Sequence, residues 1–178
     1  NVADPHKPFY GEGKRGDTTP DKNMPSRVFT PEEVPVPGFL PDDPAIRKEL
    51  SLYYSSVRRA DDSVGQILEV LKASGQDENT IIVFQSDNGH STEERAHFGG
   101  GNAGPYRGAK FSLLEGGLRL PAILSWPGKL PQGEVRDQLA HACDWMPTLA
   151  EFCEVPLPDK TLDGRSLVKV IADPAAPS

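Results

Sequence analysis

The chain has 178 residues, 37% of them hydrophobic and 25% charged, and its 26 acidic and 19 basic side chains give a net charge of −7 at pH 7. This length suffices for one domain with a buried core, because a chain of ~150 residues buries about two-thirds of its unfolded surface, and it is short for two domains. The acidic balance argues against a general nucleic-acid binder, and no apolar run reaches the roughly 18 residues of a transmembrane helix.

Residues 1–44 are rich in proline and turn-forming residues, and we expect a long surface region with no core of its own. Asp43 and Pro44 then supply an N-cap and a first-turn proline. Apolar side chains follow from Ile46 to Leu71 at alternating steps of four and three, which predicts one long amphipathic helix that ends at Gly75. The charged residues of its polar faces are expected to be solvated.

Two continuous apolar runs, "TIIVF" (80–84) and "LPAILSW" (120–126), predict strands covered on both faces, as in a parallel sheet. Helices are predicted over 144–154, with Asp144 as N-cap, and over 164–173. The predicted fold class is α/β, a mainly parallel sheet flanked by helices, in one partial domain 1–178 with loops over 1–44 and the helix and strand core over 45–178. Cys143 and Cys153 would lie ~15 Å apart along a helix, too far for a disulfide, and are predicted to be buried thiols.

The step Asp87-Asn88-Gly89 follows the first predicted strand. Asn-Gly is a strong hairpin signal, but the glycine-rich stretch after it has no alternating pattern for a partner strand. Ligands gather at the carboxyl ends of strands in open α/β sheets, and carboxylate and amide oxygens suit Ca²⁺ or Mg²⁺. A metal site and a plain polar turn both remain open from this pattern.

Three cationic side chains are candidates for holding an anion: Arg107, Lys110 and His6. Each taken singly is more commonly a solvated charge or a loop residue. The glycines of Gly99-x-Gly101-x-x-Gly104 do not form a dinucleotide-binding loop, because they do not lie between a strand and a helix and Pro105 follows directly.

Several segments together resemble the sulfatase family of the alkaline-phosphatase superfamily, in particular its sulfamidase-like branch. They follow the family's order, correspond to the middle to C-terminal part of its catalytic domain, and read "DPHKPF", "YYSSVRRADDSVGQILEVLKASGQDENTIIVFQSDNGH", "YRGAKFSLLEGGLRLPAILSWPG", "DWMPTLAEF" and "LDGRSL". The resemblance implies an alkaline-phosphatase-like fold and metal-assisted hydrolysis of sulfate esters or N-sulfates by a formylglycine nucleophile. It also implies a sulfated small molecule or glycan as substrate, and a periplasmic or extracellular location.

Site residues are carried over from the resemblance one by one. Asp87 and Asn88 resemble metal ligands for Ca²⁺, or for Mg²⁺. Lys110 and His6 resemble catalytic residues that also bind the sulfate group, while Arg107 and His90 are second-tier candidates, Arg107 for substrate binding. Such a metal and cations would stabilise charge that develops on the oxygens of a transferring sulfuryl group.

One departure limits what this chain is expected to do alone. Neither cysteine lies in the Cys/Ser-x-Pro-Ser/Ala-Arg motif that carries formylglycine, and the near match at 23–27 has Asn23 in the nucleophile's place. We therefore expect an inactive isolated chain that lacks an N-terminal segment or forms an oligomer. Two alternatives stay open: a phosphate or phosphonate ester hydrolase of the same superfamily, and a non-catalytic, truncated sulfatase-like module.

Overall fold

The computed structural model describes residues 8–12, 23–92 and 101–176. Its helices are α1 (Pro44–Ala73), α2 (Glu115–Leu118), α3 (Trp145–Phe152) and α4 (Val168–Ala172), its strands are β1 (Ile82–Gln85) and β2 (Ala122–Ser125), and 3₁₀ turns lie at Asp77–Asn79 and Ala142–Asp144. Within the described ranges no helix is both long and apolar enough to cross a membrane. The two helices and two strands predicted before residue 155 are all present. Strand β1 begins two residues later and ends one residue later than predicted, and β2 begins two residues later and ends one residue earlier.

Helix α1 begins and ends where the capping residues predict. The carboxylate of Asp43 accepts a hydrogen bond of 2.8 Å from the amide of Ala45, and Pro44 is the first helical residue. At the other end, the amide of Ser74 donates to the carbonyl of Val70 at 3.0 Å, and Gly75 takes a φ of +67°. A left-handed backbone at this position ends a helix at little cost only for glycine.

Serine side chains, and not the predicted apolar stripe, are the most deeply buried groups of α1. Ser55 and Ser56 have no exposed surface. The amide of Phe29 donates to Ser55 Oγ at 3.0 Å, and the amide of Tyr10 donates to Ser56 Oγ at 2.7 Å. Small side chains with an acceptor oxygen thus let the preceding loops lie directly on the helix backbone, whereas Ile67 of the predicted stripe is 62% exposed.

The loop region before α1 is not merely a surface excursion. Val34 is only 2% exposed, and a guanidinium nitrogen of Arg47 donates to its carbonyl and to that of Pro31, both at 3.2 Å. The prediction that residues 1–44 contribute no core is therefore wrong for this segment. Its backbone is held by a side chain of α1, which the proline content could not reveal.

Asp62 on α1 is likewise more than a solvated charge. Its carboxylate accepts from the amide and the hydroxyl of Ser26, at 2.6 and 2.8 Å, and forms an ion pair of 2.9 Å with Arg58. The amide hydrogen bond from Ser26, with its hydroxyl and Arg58, holds the pKa of the Asp62 carboxyl below its ordinary value. The near match to the nucleophile motif is thus anchored on α1 through Ser26.

Strands β1 and β2 pair in a two-stranded sheet. The amide of Ser86 donates to the carbonyl of Pro121 at 3.3 Å, and the amide of Gly89 donates to that of Gly117 at 3.2 Å. From Ser86 to Gly89 the residue number increases, while that of the bonded partner falls from Pro121 to Gly117. The two segments therefore run antiparallel. An α/β composition is present, and the mainly parallel order predicted for the whole sheet stays a prediction.

The two strands are less covered than their sequences suggested. Phe84 is 55% exposed and Ile123 is 61% exposed, so the prediction of strands buried on both faces is wrong for the described chain. Among the described residues, only Val34 and Leu167 are buried hydrophobic side chains. The atoms that would cover these strands are not found in the parts of the chain described.

The chain divides into two compact units, the first formed by the described residues of Asn1–Asp77 and Val83–Ile123, the second by Glu78–Ile82 and those of Leu124–Ser178. In the second unit the indole of Trp126 packs edge-on against Phe152, with ring centroids 5.9 Å apart. Its Nε1 also donates to the carbonyl of Glu78 at 3.0 Å. The prediction of one catalytic domain over 1–178 stays a prediction.

Asp144 is the N-cap residue of α3, as predicted, but its side chain makes no capping hydrogen bond to that helix. Its buried carboxylate accepts from the amide of His141 at 2.7 Å and from that of Arg165 at 2.9 Å. Burial opposes ionisation, but these two amide bonds together with the nearby positive charge of Arg165 outweigh it and hold the pKa of the carboxyl below its ordinary value. Cys143 and Cys153 are free thiols, as predicted, but both are exposed, so the prediction that they are buried is wrong.

Candidate functional site

The polar step Asp87-Asn88 lies directly after β1, at the surface of the first unit. Asp87 is exposed and Asn88 is half-buried. The hydroxyl of Ser86 donates to the carbonyl of Asn88 at 3.1 Å, and backbone bonds from Ser86 and Gly89 tie both ends of the step to the segment before β2. The step is thus held in place while the carboxylate stays open to solvent.

Close glycine contacts bring the loop of residues 107–117 against this step. A Cβ on Gly89 would lie 2.2 Å from the carbonyl oxygen of Gly116 and 2.9 Å from the Cα of Gly117. Real Cβ atoms do not approach so closely, so only glycine allows these backbones to cross here. The Gly-Gly pair of the sequence is the signal that could have predicted this contact.

Lys110 is joined to the same segment through its backbone. Its amide donates to the carbonyl of His90 at 2.9 Å, and its side chain is half-buried. The ammonium nitrogen lies 5.5 Å from the ring centroid of Phe111, a distance typical of a cation–π contact. The structure therefore brings the residues after β1 and Lys110 into one place.

Phe111 is a feature that the sequence did not single out. It has a φ of +70° and is 78% exposed. A bulky side chain in the left-handed region is uncommon, because its Cβ crowds the following carbonyl. This strained turn presents an aromatic ring beside the Lys110 ammonium, and no pattern in the sequence marks it.

The other predicted site residues have different outcomes. Arg107 is exposed, and its carbonyl accepts from the amide of Gly116 at 2.8 Å. His90 is half-buried, and its side chain lies where a Cβ on Gly101 would meet it at 2.4 Å. His6 lies outside the described residues.

The donor atoms present fit a hard cation in part. Asp87 offers carboxylate oxygens and Asn88 an amide oxygen, the ligand types that Ca²⁺ and Mg²⁺ prefer. Within residues 8–12, 23–92 and 101–176, no group of three or more His, Cys, Asp or Glu side chains could hold a metal ion. Ca²⁺ takes six to eight oxygens, so these two residues can be only part of its ligand set.

Comparison with known proteins gives a consistent set of matches. A family model described as Sulfatase matches residues 3–155. The chain is 37% identical over 137 residues to the steryl-sulfatase of Homo sapiens, covering 75% of this chain and 24% of that protein. It is 39% identical over 117 residues to the N-acetylgalactosamine-6-sulfatase of Mus musculus, covering 65% and 22%.

A solved structure also matches. The crystal structure of Ps i-CgsB in complex with k-i-k-neocarrahexaose has a TM-score of 0.61 and 33% sequence identity, covering 69% of this chain and 26% of that one. The chain thus spans about a quarter of the length of the curated relatives and of the solved structure that it matches.

Proposed function

The chain belongs to the sulfatase family, and we propose that it contributes part of the active site of a sulfuric ester hydrolase. The family and its solved relatives imply an alkaline-phosphatase-like α/β fold. In the proposed site Asp87 and Asn88 are metal ligands and Lys110 binds the sulfate group. The observation that carries the proposal is the backbone bond between Lys110 and His90, next to the Asp-Asn step.

Each side chain has a task that its chemistry allows. A bound Ca²⁺ or Mg²⁺ would polarise the sulfuryl oxygens and orient them for attack. The Lys110 ammonium would stabilise negative charge developing on those oxygens, and its half-buried position strengthens this effect relative to bulk water. Arg107 and His6 are proposed as further sulfate-binding groups, and His6 as a catalytic residue.

The nucleophile is proposed to come from outside these 178 residues, as a formylglycine. The isolated chain is then inactive but still binds anions at Lys110. A phosphate or phosphonate ester hydrolase is the alternative, because the same metal and cation would also stabilise a transferring phosphoryl group. Two curated relatives named as sulfatases favour sulfate.

The proposed substrate is a sulfated small molecule or glycan. One relative is named for steryl sulfate and the other for a sulfated N-acetylgalactosamine. The matched crystal structure contains k-i-k-neocarrahexaose. Exposed Phe111 beside Lys110 offers an apolar ring face that either a sterol or a sugar ring could contact.

Further polypeptide, from the same domain or from a second copy, is proposed to cover the exposed apolar side chains. Val70 of α1 is 70% exposed, and Phe84 and Ile123 of the sheet are more than half exposed. Such surface favours association. Sedimentation of the purified chain at several concentrations tests this point, since a strictly monomeric and soluble chain would contradict it.

The function is tested by hydrolysis of p-nitrophenyl sulfate and p-nitrophenyl phosphate in the presence of Ca²⁺. The native protein that contains these residues and the isolated 178 residues are assayed side by side. We expect sulfate hydrolysis by the former that Lys110→Ala abolishes, and none by the latter. Faster hydrolysis of the phosphate ester would favour the alternative, and turnover by the isolated chain would refute the external nucleophile.

A further inference from the structure

A cysteine and a histidine of the second unit form a close pair that the proposed sulfatase site does not use. The Sγ of Cys143 lies 3.1 Å from the Nδ1 of His141, and both side chains are exposed. This distance is short for a contact between sulfur and nitrogen and fits a hydrogen bond. A thiol with an imidazole at this distance has a base to which its proton can move.

Backbone hydrogen bonds hold His141 and Cys143 in this arrangement in the folded chain. His141 precedes the 3₁₀ turn Ala142–Asp144, and its amide donates to the Asp144 carboxylate at 2.7 Å. The amide of Cys143 donates to His141 Nδ1 at 3.3 Å. Nδ1 therefore presents a lone pair toward Cys143, and in this arrangement the thiol is the donor.

The Asp144 carboxylate is the other group facing the sulfur, and its effect is weaker. Its Oδ1 lies 3.9 Å from Cys143 Sγ. Both carboxylate oxygens already accept amide hydrogen bonds, one from His141 and one from Arg165. Its negative charge opposes a free thiolate but favours the positively charged imidazole that forms with it, so His141 is the better placed proton acceptor.

We propose that Cys143 is a modification site for low-molecular-weight disulfides, with His141 as the group that accepts the thiol proton. The Cys143 sulfur attacks one sulfur of the reagent, the reagent's S–S bond breaks, and a mixed disulfide forms. The Cys143 sulfur is oxidised and the leaving sulfur is reduced to a thiolate. The thiol proton passes to His141 Nδ1 and from there to the solvent or the leaving thiolate.

Cys153 provides an internal control for this proposal. It is also exposed and free, but it lies just after the C-terminal end of α3. In the described part of the second unit, no histidine contact like that of Cys143 is found at its thiol. The two exposed cysteines thus differ in the neighbouring imidazole, and also in lying at opposite ends of α3, so the His141→Asn variant below separates the two effects.

The test measures the reaction of 5,5′-dithiobis(2-nitrobenzoate) with two single-thiol variants of the full 178-residue chain at pH 7.5. Cys153→Ala leaves only Cys143, and Cys143→Ala leaves only Cys153. We expect Cys143 to react ~10-fold faster or more, and the two thiols to react at similar rates in guanidinium. Equal rates in the folded chain would overturn the proposal.

His141→Asn in the Cys153→Ala background isolates the imidazole. Asparagine is a good N-cap and can still accept from the Cys143 amide, so circular dichroism should be unchanged. The rate is expected to fall to within about threefold of the Cys153 rate, because only the proton acceptor has been lost. An unchanged rate with an unchanged fold would show that exposure alone sets the reactivity, and would refute the role of His141.

Discussion

The amide of Lys110 donates to the carbonyl of His90 at 2.9 Å, so a lysine twenty residues along the chain is fixed beside the Asp-Asn step that follows β1. This bond is made by the backbone, and the lysine ammonium lies 5.5 Å from the ring centroid of Phe111. The same backbone bond brings Lys110 into the region of the first unit that contains the Asp-Asn step. This arrangement suits the proposed site, which would hold both a metal and a negatively charged ester.

Gly89→Ala should destabilise the first unit by about 1–3 kcal/mol or more, because the added Cβ would lie 2.2 Å from the Gly116 carbonyl oxygen. Urea unfolding followed by circular dichroism measures this. The matched control is Gly65→Ala within α1, where nothing lies within 4 Å and a gain of roughly 0.5–1 kcal/mol is expected. Equal effects of the two substitutions would contradict the proposed backbone crossing.

Lys110→Met should weaken binding of p-nitrophenyl sulfate to the isolated chain by about tenfold or more, because a hydrogen bond to a charged group contributes ~1.5–3 kcal/mol. An NMR titration gives the dissociation constants. Arg107→Met is the control for general loss of positive charge, and a smaller effect is expected because Arg107 is more exposed. A larger loss in the arginine variant would assign the anion to Arg107 instead.

Thr148→Val should destabilise the second unit by roughly 1–3 kcal/mol. Thr148 is completely buried, and its hydroxyl donates to the Asp144 carbonyl at 2.6 Å and accepts from the Leu167 amide at 2.9 Å. Valine keeps the shape and leaves both groups without this partner. Thr148→Ser keeps the hydroxyl and loses about one methyl group, ~1 kcal/mol. A valine variant that is more stable than the serine variant would show that the hydroxyl does not stabilise the second unit.

The Asp144 carboxyl should make the free energy of unfolding decrease as the solution becomes acidic. Its pKa is lowered from the ordinary 3.8 in the folded chain, so the ionised carboxylate stabilises the fold above that value. The contribution is lost as the pH falls from about 4 through the folded pKa. Thermal unfolding between pH 7 and pH 2 should show this loss, and Asp144→Asn should flatten it; an unchanged slope would exclude this carboxyl as its source.

The limits of α1, the strand positions and the family motifs were predicted correctly, because each depends on signals within a few neighbouring residues. Asp43, Pro44 and Gly75 predicted the limits of α1 because caps act within a few residues. The two apolar runs predicted both strands, and the ordered motifs predicted the sulfatase family. These features need no knowledge of distant contacts.

The sequence failed where a side chain serves a distant backbone. Ser55 and Ser56 are buried because loops far along the chain donate to them, and Asp144 holds the amide of Arg165, 21 residues away. Continuous apolar strands suggested full burial, yet Phe84 is more than half exposed. Pattern identifies which residues prefer burial, and only tertiary contacts decide whether they reach it.

We propose to test the divalent metal site at the Asp-Asn step first by calorimetric titration of Ca²⁺ into the purified chain. We expect saturable binding with a dissociation constant of about 10⁻³ M, since two residues give a weak site. Asp87→Ala should abolish it, while Asp159→Ala, which removes another exposed carboxylate, should not. Absence of saturable binding, or binding equally strong in Asp87→Ala, would show that the Asp-Asn step is not a metal site.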